Sequence, residues 1–294
     1  MTSRSTVSLP TLVSSPTLPS PLELPGLLVV DDGFVDDAVV EGLRAAIASS
    51  KLPGASQLDG GFAATRGFGV ACHVRAVDDA LARVPWLRPF VAVALHEAVW
   101  ARLFRPGLFE RVASSWLGRV NALYLNVLTV PPGAGVGRHV DATLGVATAR
   151  PGDDAPLSPR AVVVLYVDVP AGMTGGALRL SRGDDVVAEV APRAGRLVVF
   201  RGALGHEVTV VTPVTPVTPV TPVTPVTPVT PATPGLEGAG CVRVSCVAEL
   251  YALPRRRLWR LPRVRVQSHG FAGVLARLRR ERDPHRATTT TTTE

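Results

Sequence analysis

Apolar positions fall into two textures along this chain. In the first, 25–34 (PGLLVVDDGF) reads as a short strand leading into a helix over 35–49, where Val39, Leu43, Ala46 and Ile47 share a face at helical spacing. A second helix is predicted over 88–104, and both helices read as support layers. From Val120 the pattern changes to short β-branched segments separated by Gly, Pro and Asp, at 121–130, 160–169, 177–180, 186–190, 196–200 and 241–251. Strands at that spacing predict a sandwich or barrel, so the expected class is mainly β with flanking α-helices. The longest apolar runs, such as AVVVLYV at 161–167, are strand-length. They fall far short of the ~18 residues a membrane span needs.

The pattern divides the chain into a leader (1–25), a helical support region (26–119), a β core (120–252) and a basic tail (253–294). Within the core, 211–234 is an insertion of seven VTP triplets followed by Ala232-Thr233-Pro234. Proline at every third position forbids a helix or a central strand, and each Thr before Pro is pushed to extended or polyproline-II geometry. An exposed loop expansion is therefore expected. The tail holds a predicted helix with an apolar stripe of Phe271, Val274, Leu275 and Leu278, and ends in a threonine run at 288–293.

Composition refines this picture in two places. The formal charge is +7, but residues 255–286 hold eleven Arg against Glu281 and Asp283, so the remaining chain sums to −2. The basic character belongs to the tail, where docking on the barrel, nucleic acid or another anionic surface are the readings available. Cys72, Cys241 and Cys246 are too few for a disulfide scaffold, and no C-x-x-C pair suggests zinc. Reduced thiols fit an intracellular compartment, cytoplasmic or organellar. The Ser/Thr/Pro-rich leader has Arg4 as its one basic residue and lacks the apolar stretch of a secretory signal.

The candidate chemistry starts at His139-Val140-Asp141. In a strand, i and i+2 project to one face, so this pair points into one cavity and a third ligand, His206, can arrive from a facing strand. Two imidazoles and one carboxylate leave three open positions on an octahedral metal, the arrangement of non-haem Fe(II) oxygenases. Around the pair stand Gly175-Gly176-Ala177-Leu178-Arg179-Leu180, Gly195-Arg196-Leu197-Val198-Val199-Phe200, His206-Glu207-Val208 and Arg243-Val244-Ser245, in that order.

With these motifs, 120–251 resembles the 2-oxoglutarate and Fe(II)-dependent dioxygenases, in particular their prolyl 4-hydroxylase-like branch. The resemblance implies a double-stranded β-helix (jelly-roll) core, with His139, Asp141 and His206 as iron ligands. It implies Arg243 as the partner of the far carboxylate of 2-oxoglutarate, for which a guanidinium fork is suited, with Ser245 adding a hydrogen bond. Fe(II), 2-oxoglutarate and O2 would be the reagents, ascorbate an accessory reductant, and hydroxylation of an unactivated C–H bond with release of succinate and CO2 the reaction. A prolyl or other peptidyl side chain is the first substrate class it suggests, a small metabolite the second and an alkylated nucleobase the third. The alternative is a non-catalytic binding module acting through the arginine-rich tail, against which the retention of all three ligands and Arg243 argues.

Two departures from the family pattern stand out. A tyrosine nine residues before the first iron histidine is replaced by Val130, leaving Tyr124 or Tyr166 as sources of a hydroxyl. His206 and Arg243 are also 37 residues apart, mostly because of the VTP tract. Other motifs are decoys. Gly133-Ala134-Gly135-Val136-Gly137 precedes a strand where a nucleotide loop needs a helix, and His96-Glu97 lacks the second histidine of a zinc protease, Trp100 standing in its place. His73, His269 and His285 are isolated.

Overall fold

A computed structural model describes residues 22–50, 65–103, 120–150, 156–212 and 242–267. The leader up to residue 21, most of the VTP tract, Cys241, the 271–278 stripe and the terminal threonine run lie outside the described residues.

The core of the fold is set by β6 (Ala161–Asp168), where the apolar run reflects burial on both faces. Ala161, Val163, Leu165 and Val167 face a helical layer, and Val162, Val164 and Tyr166 face the interior of a sandwich. Strand β10 (Leu197–Arg201) divides in the same way, with Leu197 and Val199 outward and Val198 and Phe200 inward. These strands belong to an eight-stranded antiparallel sheet. Its order is β1 (Leu22–Leu24), β2 (Leu28–Asp31), β10, β6, β13 (Arg243–Tyr251), β4 (Ala122–Val130), β3 (Arg66–His73) and β14 (Val264–Gln267). Facing it is a four-stranded sheet of β5 (Val136–His139), β11 (Gly205–Val208), β8 (Leu178–Arg182) and β9 (Asp185–Val190). The short pair β7 (Thr174–Gly175) and β12 (Val211–Thr212) closes one end. The result is the expected jelly roll.

The helix over Asp37–Ser49 starts at Asp36, whose carboxylate accepts from the Ala38 amide at 2.8 Å, and it buries Val40, Leu43 and Ile47. The predicted face is thus shifted, with Val40 buried where Val39 was expected. The second predicted helix is interrupted, giving Arg88–Ala94 and Glu97–Leu103. His96 causes the break locally. Its Nδ1 accepts from the Ala98 amide at 3.2 Å and so caps the second segment, while its ring packs edge-on to Phe34. Among the described residues no helix is long and apolar enough to cross a membrane.

Besides the short pair β7 and β12, three strands lie where the sequence pattern showed none. Leu22–Leu24, at the end of the predicted leader, pairs with β2. β3 lies in the stretch read as helical support, and it pairs with β4 along its whole length. β14 lies in the stretch read as basic tail, and it pairs with β3 while Val264 and Val266 pack on the main core. Val211, the first residue of the VTP tract, and Arg243, the first residue of β13, meet at one dipeptide. Val211 is the Cα partner of Gly175, and the Arg243 guanidinium donates to the Gly176 carbonyl at 2.6 Å. Gly175 is required there: its φ is +69°, and a Cβ would lie 2.0 Å from the Val210 carbonyl oxygen.

Candidate active site

His139 and His206 are Cα partners across the β5–β11 ladder, so their side chains project together from the four-stranded sheet. The third candidate ligand therefore stands on a hydrogen-bonded neighbour in the same sheet, where the sequence reading expected a facing strand. Asp141 lies just beyond the end of β5, and its carboxylate touches both rings. Oδ1 is 3.4 Å from His139 Nε2 and Oδ2 is 3.4 Å from His206 Nε2. One ligand atom from each of the three falls within 4.8 Å of the others. Ligand bonds of about 2.1 Å at right angles would place neighbouring donors about 3 Å apart, so small side-chain adjustments suffice to hold one octahedral ion.

The histidines are prepared for this orientation. His139 Nδ1 bonds the Gly137 carbonyl at 2.8 Å and His206 Nδ1 bonds the Leu204 carbonyl at 3.3 Å. Each Nδ1 thus keeps a proton to donate, and each Nε2 is left to the carboxylate or a metal. Burial alone would raise the Asp141 carboxyl, but the His206 charge and the two histidine hydrogen bonds outweigh it and hold it well below the usual carboxylate range. Burial would likewise lower His206, yet the Asp141 charge and hydrogen bond raise it.

The triad borders a cavity of about 250 Å³ between the two sheets. The same cavity is lined by Arg243, with 2% of its surface exposed, and Ser245, fully buried. The Arg243 guanidinium lies over the Tyr166 ring, 4.9 Å from its centroid. Desolvation depresses its pKa and no carboxylate among the described residues offsets this. Arg243 Nε, Ser245 Oγ and the Tyr166 hydroxyl are all buried without a hydrogen-bond partner. An unpaired buried cation is costly, and three orphaned donors converging on one cavity describe a receptacle for an anion. Burial raises the Tyr166 hydroxyl, keeping it a neutral donor.

Residues 125–218 match the family model described as the 2OG-Fe(II) oxygenase superfamily. This part of the chain is a 2OG-Fe(II) oxygenase domain. The protein is accordingly a 2-oxoglutarate-dependent dioxygenase whose reagents are Fe(II), 2-oxoglutarate and O2, and the binding-module alternative is not favoured. No curated protein sequence matches the chain. Among solved structures, a Pseudomonas putida prolyl-4-hydroxylase is 20% identical with a TM-score of 0.40, covering 77% of this chain and 93% of its own. A Trichoplax adhaerens prolyl hydroxylase, in complex with a hypoxia inducible factor oxygen degradation domain peptide, is 12% identical with a TM-score of 0.45, covering 80% and 87%. The viral collagen prolyl hydroxylase of Paramecium Bursaria Chlorella virus-1, in its 2OG complex, is 13% identical with a TM-score of 0.37, covering 78% and 97%.

All five residues singled out in the oxygenase sequence (His139, Asp141, His206, Arg243 and Ser245) line the one cavity. Val130, at the position of the family tyrosine, is the Cα partner of Arg243 and packs in an apolar cluster with Leu128, Val136 and Val208. Of the two alternative tyrosines, Tyr166 contacts Arg243. Tyr124 also lines the cavity, but its hydroxyl reaches over β3, where a Cβ on Gly69 would be 2.3 Å from it. Of the set-aside motifs, His73 and Gly135 have structural roles: His73 Nε2 bonds the Leu261 carbonyl at 2.9 Å, and Gly135 is pressed against β11, 2.7 Å separating its would-be Cβ from the Val208 carbonyl oxygen, while His269 and His285 lie outside the described residues.

The sequence reading missed Asn126, Thr143 and Glu249, which also line the cavity. Glu249 carried a usable signal. It stands an even number of residues from Arg243 and Ser245, so strand parity places all three on one face.

Proposed function

We propose that His139, Asp141 and His206 hold Fe(II), that Arg243, Ser245 and Tyr166 hold the far carboxylate of 2-oxoglutarate, and that the enzyme hydroxylates an unactivated C–H bond of a prolyl or other peptidyl substrate. The observation that carries this reading is the buried Arg243 guanidinium, whose Nε makes no hydrogen bond and which has no carboxylate partner among the described residues, lining the same cavity as the His-Asp-His cluster. The donor set fits both groups: two neutral imidazoles and a carboxylate for a divalent transition metal, and a cation with two hydroxyls for a carboxylate.

Bound Fe(II), with 2-oxoglutarate and O2, supplies the oxidising power for C–H hydroxylation, releasing succinate and CO2. The chain's own residues bind, orient and exclude. The Gly137 and Leu204 carbonyls fix the imidazole tautomers. Arg243 neutralises the cosubstrate's charge away from water, and Tyr166 takes the role of the tyrosine that Val130 replaces. Val162, Val164, Leu178, Phe200 and Val247 keep the cavity dry. A peptidyl substrate rests on the resemblance to the prolyl 4-hydroxylase-like branch.

The test is release of succinate from 2-oxoglutarate, with and without proline-containing peptides. Fe(II)-dependent succinate stimulated by a peptide supports the reading, and succinate formation that persists in chelated protein contradicts it.

A further inference from the structure

Asp141 has no strand partner. The ladder that places His139 opposite His206 stops before it, so its position depends on what holds the segment that follows. That segment, the short helix Thr143–Ala147, is held from two sides. On the cavity side, Thr143 Oγ1 donates to Glu249 Oε1 at 2.7 Å, and the Thr143 amide also interacts with this carboxyl. The Tyr251 hydroxyl donates to Glu249 Oε2, and the Leu144 amide approaches the Tyr251 oxygen. On the outer side, buried Arg257 donates to the Gly145 carbonyl at 3.4 Å and Arg260 to the Thr148 carbonyl at 2.9 Å.

Glu249 is the centre of this arrangement. It is 4% exposed, and neither the metal nor the anion site uses it. A carboxyl in such a place is costly unless it is hydrogen-bonded, and the bonds that satisfy this one come from Thr143 and Tyr251. It sits on β13 with Arg243 and Ser245, on the same face, with Tyr124 and Val162 as Cα partners.

We propose that Glu249 is a positioning residue for the metal: by holding Thr143 it fixes the Asp141 carboxylate against the two imidazoles and ties it to the strand that grips 2-oxoglutarate. Metal and cosubstrate sites are thereby built on one strand, β13, although no metal ligand lies on it. The inference rests on the iron reading of the triad given above.

The test is anaerobic titration of the full chain with Co(II), followed through the visible absorption of the bound ion without turnover. Thr143→Val, which removes the hydroxyl at nearly constant volume, should weaken Co(II) binding roughly tenfold and alter the band shape, as loss of outer-sphere support does. Thr143→Ser, which keeps the hydroxyl, should stay within about twofold of wild type. Glu249→Leu should weaken binding at least as much, and adding Thr143→Val to it should cost little more, because both remove one link. Circular dichroism checks that each variant is folded, and the threonine pair decides the matter if Glu249→Leu is not. Wild-type Co(II) affinity and band shape in Thr143→Val, with binding lost in Asp141→Ala, would overturn the positioning role alone. Wild-type affinity in Asp141→Ala as well would overturn it together with the iron reading.

Discussion

Val130 and Arg243 stand directly opposite each other on neighbouring strands of the large sheet, while Tyr166 lies under the same guanidinium from the strand on the other side. Under the proposed function, the hydroxyl that the resemblance places at position 130 would thus come from β6. Exchanging the strand that supplies it leaves an apolar cluster around Val130 and an unpartnered Tyr166 hydroxyl in the cavity.

This relationship predicts a selective effect of Tyr166→Phe. Loss of a hydrogen bond to a charged group costs about 1.5–3 kcal/mol, so the KM for 2-oxoglutarate should rise roughly tenfold or more. The thermal midpoint of the cosubstrate-free protein should not fall, because the hydroxyl has no partner there. Steady-state kinetics with varied 2-oxoglutarate, together with calorimetry, check both halves. An unchanged KM would return the role to another residue.

Arg243→Met should raise the 2-oxoglutarate requirement more steeply, about a hundredfold, since the guanidinium supplies the charge and the fork. Arg243→Lys should fall between the two, keeping the charge without the paired donors. Isothermal titration with 2-oxoglutarate under anaerobic conditions reads this order directly.

His139→Ala and Asp141→Ala should each abolish metal-dependent turnover while preserving the fold, because both residues lie at the cavity rim rather than in an apolar cluster. Succinate assays beside circular dichroism separate loss of the site from loss of the protein. Full turnover in a metal-depleted preparation of either variant contradicts the assignment.

Glu249 predicts a pH dependence. Burial, then the Asp141 charge, raises its carboxyl well above 4.5. The folded state therefore favours the protonated form, and its contribution is fully present below the unfolded value and lost as pH rises through the folded one. Glu249→Gln stays neutral throughout. In metal-free protein, wild type should lose stability relative to Glu249→Gln as pH rises from 4.5, by at most about 1.4 kcal/mol per pH unit. Urea unfolding from pH 5 to 8 checks it, and parallel profiles would contradict it.

Gly67→Ala should destabilise the sheet by roughly 1–3 kcal/mol, the range for forced overpacking. A Cβ there would lie 2.2 Å from the Val127 carbonyl oxygen, so β3 and β4 must separate. Thermal unfolding measures the loss.

What the sequence made legible follows from periodicity and spacing. The strands of the sandwich announce themselves because β-branched runs such as 161–167 are buried on both faces. His139 and Asp141 were visible as an i, i+2 pair, and His206 and Arg243 by their place in the motif order. β3 was hidden because Gly67 and Gly69 dilute its strand pattern, yet the cavity-side packing of Tyr124 and the close approach of Val127 require those glycines. β14 was hidden because its alternating Val264 and Val266 lie in an arginine-rich stretch whose charge dominated the reading. Arg257 read as a tail charge, but it is buried and braces the Gly145 carbonyl, a contact that only the fold creates. The break at His96 depends on a side chain capping a backbone amide, which hydrophobic periodicity does not report.

The central claim is that the His-Asp-His cluster and Arg243 form one site, at which 2-oxoglutarate is bound by metal and guanidinium together. The most direct measurement is the visible absorption that develops when 2-oxoglutarate chelates Fe(II) in the absence of O2. Wild-type protein should show it at low cosubstrate concentration. Asp141→Ala should lose it, and Arg243→Met should reach it only at about a hundredfold higher 2-oxoglutarate. A full-strength absorption in Asp141→Ala, or an unchanged titration in Arg243→Met, would contradict the account.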